Sequence, residues 1–193
     1  VLEEYSQRYG NKVSGWWIDG CYAPGETALG YDFTEATLKP FHDAIRAGNP
    51  DALIALNNGV HHPIGQGTPQ SPDRVSQWAD FTAGESHNLA EIPARRFVTD
   101  QKRAASAQWH TLSHLGWNWA RAGSCNCSVT TAANCSDPRC GAYTAKAVGE
   151  YCSAVARVGG VVSIDVRLLR NGSLDAEQAT LLRSAWQAAH LPS

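Results

Sequence analysis

Short apolar runs alternate with helical stripes along this chain, and that alternation narrows the possible folds more than any single residue does. Residues 13–18, 52–56 and 161–166 have the length and apolar character of buried strands. Between them, Leu38, Phe41 and Ile45 recur at helical spacing, as do Val148, Tyr151, Cys152, Val155 and Val158. Leu181, Leu182, Ala185, Trp186 and Ala189 mark the buried stripe of a last helix. Strands separated by helices predict an α/β fold on a parallel sheet.

Local signals set the boundaries. Residues 1–9 read as helical, closed by Gly10-Asn11. Thr34 is expected to cap a helix that Gly48-Asn49-Pro50 stops, with Pro40 bending it or delaying its start. A helix is expected over 142–158. Asp175 and Gln178 spell a capping box for the last one, which runs to about residue 190. Weaker strand signals fall at 78–82, 95–99 and 107–112. No repeat or domain boundary is visible, so residues 1–193 read as one domain.

Composition excludes some functions. The net charge is −2, which offers no basic face to nucleic acid, and no apolar run is long enough to span a membrane. The chain has no methionine and begins inside a helix, so a processed chain or a fragment is expected. Cys21, Cys125, Cys127, Cys135, Cys140 and Cys152 make an even count, four of them within the turn-rich loop 124–140. Asn126, Asn134 and Asn171 each start an Asn-x-Ser sequon. Together these predict a secreted glycoprotein with disulfides, whose pairing the sequence leaves open. A structural zinc site is the competing reading, but the cysteine spacing does not match the common zinc patterns.

The strand at 13–18 ends in Asp19-Gly20. Alternation along a strand puts Trp17 and Asp19 on one side, an aromatic wall beside an acid. Ligands of parallel sheets bind at the carboxyl ends of strands. The plainer alternative is an Asp that only caps the next turn. Glu85 follows the weak strand at 78–82 and a glycine, and could equally be an acid holding Arg95 or Arg96. His61 and His62 lie just past the strand at 52–56, in a long loop that reaches Arg74. Trp109-His110, Trp117 and Trp119 add aromatic surface, with core packing an equal reading for the last two. Asp165 either faces inward or pairs with Arg157 or Arg167.

Several of these stretches together resemble glycoside hydrolase family 29, the α-L-fucosidases. Tyr9-Gly10 and then Gly15-Trp16-Trp17-Ile18-Asp19-Gly20 resemble that family's fourth barrel strand, which carries a Trp-x-Asp-Gly motif. Asn49-Pro50-Asp51-Ala52 is similar to the lead-in of its next strand. Asp80-Phe81-Thr82-Ala83-Gly84-Glu85 resembles its Asp-Tyr-x-Thr-Pro-Glu stretch. Gly159-Gly160-Val161-Val162-Ser163-Ile164-Asp165, with Asn171-Gly172 and Gln178, resembles its last strand segment.

The resemblance implies part of a (β/α)8 barrel, roughly strands four to eight, completed by a missing half-barrel or a second copy of the chain. It implies a secreted retaining glycosidase that cleaves an α-linked fucoside or related sugar, with Asp19 as nucleophile and no cofactor or metal. Where many members have Trp-Glu, this chain has Trp109-His110, so the acid/base falls to Glu85, ahead of Glu91 and Glu26. Trp17, His61, His62, Trp109 and His110 are the expected sugar contacts. The alternatives are a non-catalytic carbohydrate-binding or structural extracellular protein, and a related retaining hydrolase for another sugar.

Overall fold

The computed structural model describes residues 1–22, 33–57, 76–86, 89–100, 105–116, 119 and 143–189. It is an α/β protein whose chain divides into two compact units. One comprises Val1–Glu85 with Arg96–His110, and the other Ser86–Arg95 with Thr111–Ser193. No described helix is long and apolar enough to cross a membrane.

In the first unit, helix α1 (Leu2–Tyr9) leads through a 3-10 turn (Gly10–Lys12) into strand β1 (Gly15–Ile18). Helix α2 (Glu35–Arg46) returns the chain to β2 (Leu53–Leu56), which pairs parallel with β1, Gly15 beside Leu53 and Ile18 beside Leu56. Thr34 caps α2 as expected, in a reciprocal box with Thr37. Pro40 does not break the helix. Pro40 and Ala36, whose carbonyl loses its usual N–H partner there, are both exposed, so water can serve that carbonyl. Strand alternation splits β1 cleanly. Trp16 and Ile18 pack with Leu38, Ile45, Ile54 and Leu56 in the core, which leaves Trp17 and Asp19 for the opposite face.

The weak strand at 78–82 is a bridging segment rather than a strand. Its backbone N–H groups at Asp80 and Phe81 donate to Ile54 O, and Phe81 forms a parallel bridge to Gln108. The side chain of Asp80 interrupts regular pairing. Its Oδ2 accepts the Ile54 N–H at 2.8 Å, the place a backbone carbonyl would fill in a ladder. The Arg46 guanidinium from the end of α2 donates to both oxygens of Asp80, at 3.0 and 2.8 Å. Residues 95–99 and 107–112 also differ from expectation. β3 (Phe97–Asp100) and β4 (Ala105–Gln108) pair antiparallel, and a separate strand β5 (His110–His114) follows.

In the second unit, helix α3 (Ala145–Arg157) precedes β6 (Val161–Asp165), which pairs with β5, and helix α4 (Ala176–Ala188) follows. Val148, Leu115 and Ala185 centre its core. Two expectations for α4 change. Asp175 caps it through the N–H groups of Glu177 and Gln178, but Gln178 Oε1 accepts from Arg167 N instead of closing a box. Trp186 is 71% exposed rather than part of the buried stripe. Arg167 pairs with Asp175 at 3.6 Å. Cys21 and Cys152 are free thiols, not the disulfide partners that the even cysteine count suggested. Cys21 is buried at the end of β1, with its Sγ 3.5 Å from Ile18 O. Cys125, Cys127, Cys135, Cys140, Asn126 and Asn134 lie outside the described residues. Asn171 is exposed, and its Oδ1 accepts from the N–H and hydroxyl of Ser173.

α1 packs against the end of α2 and against Gly48 just beyond it, and Ser6 donates its hydroxyl to Ile45 O. A Cβ on Gly48 would stand 2.1 Å from the carbonyl carbon and oxygen of Ser6, whereas one on Gly15 would meet Leu53 O at an ordinary 3.5 Å. Gly48→Ala is therefore expected to cost about 1–3 kcal/mol or more through overpacking. Gly15→Ala should change stability by less than about 1 kcal/mol. Urea unfolding of both variants checks this, and equal losses would contradict it.

Candidate active site

The parallel register of β1 and β2 builds the site. One step past the last pair, Ile18 and Leu56, the chain reaches Asp19 on one strand and Asn57 on the other. Asn57 is 2% exposed, and its backbone is held on both sides, N–H to Ile18 O at 2.8 Å and carbonyl from Cys21 N at 2.7 Å. Its side-chain Nδ2 donates to Asp19 Oδ1 at 2.8 Å and to Glu85 Oε2 at 2.8 Å. Facing two carboxylates, the amide can present only its NH2 end, so its orientation follows from chemistry. Both acceptor oxygens lie 2.8 Å from one nitrogen, so they are at most twice 2.8 Å apart.

Asp19 is exposed at the strand end, and Glu85 is half-buried. Asp19 Oδ1 takes a second bond from Gly20 N at 2.8 Å. Gly20 sits at φ 76°, a conformation that a side chain would strain. Among the described residues, Asp19 Oδ2 and Glu85 Oε1 accept no hydrogen bond. Glu85 holds neither Arg95 nor Arg96, the plainer role considered for it. Arg96 Nε turns instead to Gln108 Oε1 at 3.3 Å.

Two further side chains lie beside the pair, and a third packs on Trp17. Tyr22 follows Cys21, and its phenol is held above its ordinary range, first by burial and then by the charges of Asp19 and Glu85. Burial, with the Asp19 charge, also pushes the Cys21 thiol up to about 11, so it stays protonated. His110 is 5% exposed and packs edge-on against Trp17 at 5.9 Å and against Phe81 at 5.3 Å. Its Nδ1 lies 2.8 Å from Thr82 O and 3.1 Å from Ala83 O.

The structure thus brings together Trp17, Asp19, Glu85 and His110 of the expected set. Trp109 is a correction. It is 3% exposed, so its ring offers no open face to a sugar. His61 and His62 lie outside the described residues, as does Glu26. Glu91 belongs to the second unit, where burial raises its carboxyl above the ordinary range. Asn57 and Tyr22 were not singled out from sequence. An amide at the carboxyl end of the strand beside Asp19 was the available signal for Asn57. Among the described residues, no three His, Cys, Asp or Glu side chains converge to hold a metal ion.

No family model and no curated protein matches the sequence. Solved structures do match, at low identity. The endo-fucoidan hydrolase MfFcnA9 from glycoside hydrolase family 107 is 20% identical with a TM-score of 0.59, over 96% of this chain and 34% of its own. The endo-fucoidan hydrolase P5AFcnA of the same family is 14% identical with a TM-score of 0.62, over 99% of this chain and 55% of its own. Alpha-L-fucosidase isoenzyme 1 from Paenibacillus thiaminolyticus is 16% identical with a TM-score of 0.56, over 98% of this chain and 37% of its own. At these identities the likeness is one of fold, and this chain spans roughly a third to a half of each neighbour. These structural neighbours are glycoside hydrolases that act on fucosides.

Proposed function

We propose that this chain carries the carboxylate pair of a secreted retaining glycoside hydrolase acting on α-linked fucosides, with Asp19 as nucleophile and Glu85 as acid/base. One observation carries the reading. Asp19 and Glu85 share a single amide donor at 2.8 Å each, so the two bonded oxygens are no more than twice 2.8 Å apart, a closeness that supports the carboxyl spacing of about 5–5.5 Å a retaining mechanism uses. The fold neighbours and the barrel-strand resemblance support the substrate class. In this reading the chain is part of a (β/α)8 barrel, roughly its fourth to eighth strands. The remainder comes from the other half of the barrel or from another copy.

The chemistry runs in two displacements. Asp19 attacks the anomeric carbon while the bond to the leaving oxygen breaks, and Glu85, entering protonated, gives that oxygen its proton. Water then attacks the glycosyl ester, Glu85 takes the water's proton, and Asp19 leaves as a carboxylate. Trp17 supplies an apolar wall of the kind sugars stack on, propped by the edge contact of His110, which Phe81 backs in turn.

His110 does not donate the proton in this scheme. Carbonyl oxygens only accept, so its Nδ1 carries the hydrogen, and the neutral ring keeps Nε2 as an acceptor. Burial pushes its pKa below the ordinary histidine value, against the opposing effect of the Thr82 and Ala83 carbonyls.

An aryl α-L-fucoside series with graded leaving groups tests the roles. Asp19→Asn is expected to cut turnover by roughly a thousandfold or more on every member. Glu85→Gln is expected to lose roughly 100-fold or more on poor leaving groups and much less on good ones, which need no proton. A loss at Glu85 that ignores the leaving group would overturn its role as acid/base. Sugar binding without turnover would make the site a lectin-like one.

The His110 assignment predicts an acid-sensitive fold. Well above pH 6.5, His110 is neutral in both the folded and unfolded chain and contributes no pH dependence. As pH falls below that value, the unfolded chain takes up a proton that the folded chain resists, so stability is lost. The melting temperature of the wild type should therefore fall more steeply from about pH 7 to about pH 5 than that of His110→Gln. Parallel slopes would contradict a buried neutral imidazole.

A further inference from the structure

The Asn57 amide does more than sit between two acids. We propose that Asn57 is a positioning residue that assigns the working oxygen of each carboxyl group. This rests on the glycosidase reading above. Asn57 Nδ2 occupies Asp19 Oδ1, which Gly20 N also engages, and it occupies Glu85 Oε2. Attack on the anomeric carbon therefore falls to Asp19 Oδ2, and the transferable proton belongs on Glu85 Oε1. Among the described residues, neither of those oxygens has a partner. Oε2 can accept from Asn57 whether or not Oε1 carries a proton, so the contact survives both halves of the cycle. In the glycosyl-enzyme, Oδ1 becomes the ester carbonyl oxygen and still accepts from Asn57 and Gly20. The amide thus holds the pair in one geometry while the charge moves from Asp19 to Glu85.

Asn57 is built for this task rather than for filling space. It is 2% exposed, and its backbone is tied to β1 through Ile18 O and Cys21 N, so its side chain projects from a rigid base. A residue that merely packed there would have no need to aim its NH2 at two anions.

The test pairs a titration with kinetics. The side-chain 15N signal of Asn57 in the wild-type protein is expected to move with two carboxyl titrations. Asp19→Asn should remove one step and Glu85→Gln the other. Asn57→Leu, near in shape but without donors, should lower kcat by roughly 10- to 100-fold with KM little changed. Asn57→Ser, which keeps one donor, should recover part of that loss, and it serves in place of the leucine variant if that one fails to fold. An amide signal that follows neither carboxyl group, or only one, overturns the bridge. A rise in KM with kcat intact overturns the positioning role. If the wild type cleaves no fucoside while the amide still tracks both acids, the glycosidase reading fails and takes the positioning role with it, and the bridge remains as part of a binding site.

Discussion

Two carboxylates held near one another repel, and the rest of this site is arranged around that fact. At the separation allowed by their shared donor, the two would repel by about 3 kcal/mol whenever both are ionised, at an effective dielectric constant of about 20. A hydrogen bond to a charged group contributes about 1.5–3 kcal/mol. The Asn57 amide gives one such bond to each acid, and Gly20 adds a third to Asp19. The donors therefore match or exceed the repulsion, and the acids stay together without an arginine between them. A cation there would tie up both carboxylates in ion pairs, whereas the neutral amide leaves one oxygen of each without a partner among the described residues.

The β1/β2 register puts that amide in place. Asn57 meets Asp19 because β1 and β2 are parallel and in register, so their carboxyl ends finish side by side. Glu85 arrives from a different direction, at the end of a segment pinned to β2 by Asp80. That aspartate links the end of α2, through Arg46, to the backbone of Ile54 and so sets where the chain toward Glu85 begins. The contacts of Ser6 with Ile45 and with Gly48, just past the helix end, in turn brace the helix that carries Arg46. Helix packing, strand register and site geometry are links in one chain of constraints.

Much of this was legible in the sequence because it is written in local patterns. The apolar run ending in Asp19-Gly20, the Thr34 cap and the stripe through Val148, Tyr151 and Val155 each depend on neighbours a few residues away. What sequence reasoning missed depends on distant partners. Residues 78–82 read as a strand, but Asp80 spends its side chain on Ile54 N, a tertiary contact with no local signature. Trp109 read as a sugar platform because tryptophan serves equally in cores and in clefts, and only its burial decides between them. Trp186 shows the converse, a stripe residue left exposed on its helix. Asn57 stood in plain view at a strand end, but its role appears only once Glu85, 28 residues on, folds back to the same nitrogen.

The most direct measurement is covalent trapping. A 2-deoxy-2-fluoro-α-L-fucosyl donor with a reactive leaving group slows both displacements but the second more, so a retaining enzyme accumulates its glycosyl ester. Mass spectrometry of the digested protein would then locate the sugar. The expected result is one fucosyl group per chain, on Asp19 and absent from Asp19→Asn. A label on another carboxylate, or none from a protein that turns over fucosides, would contradict it.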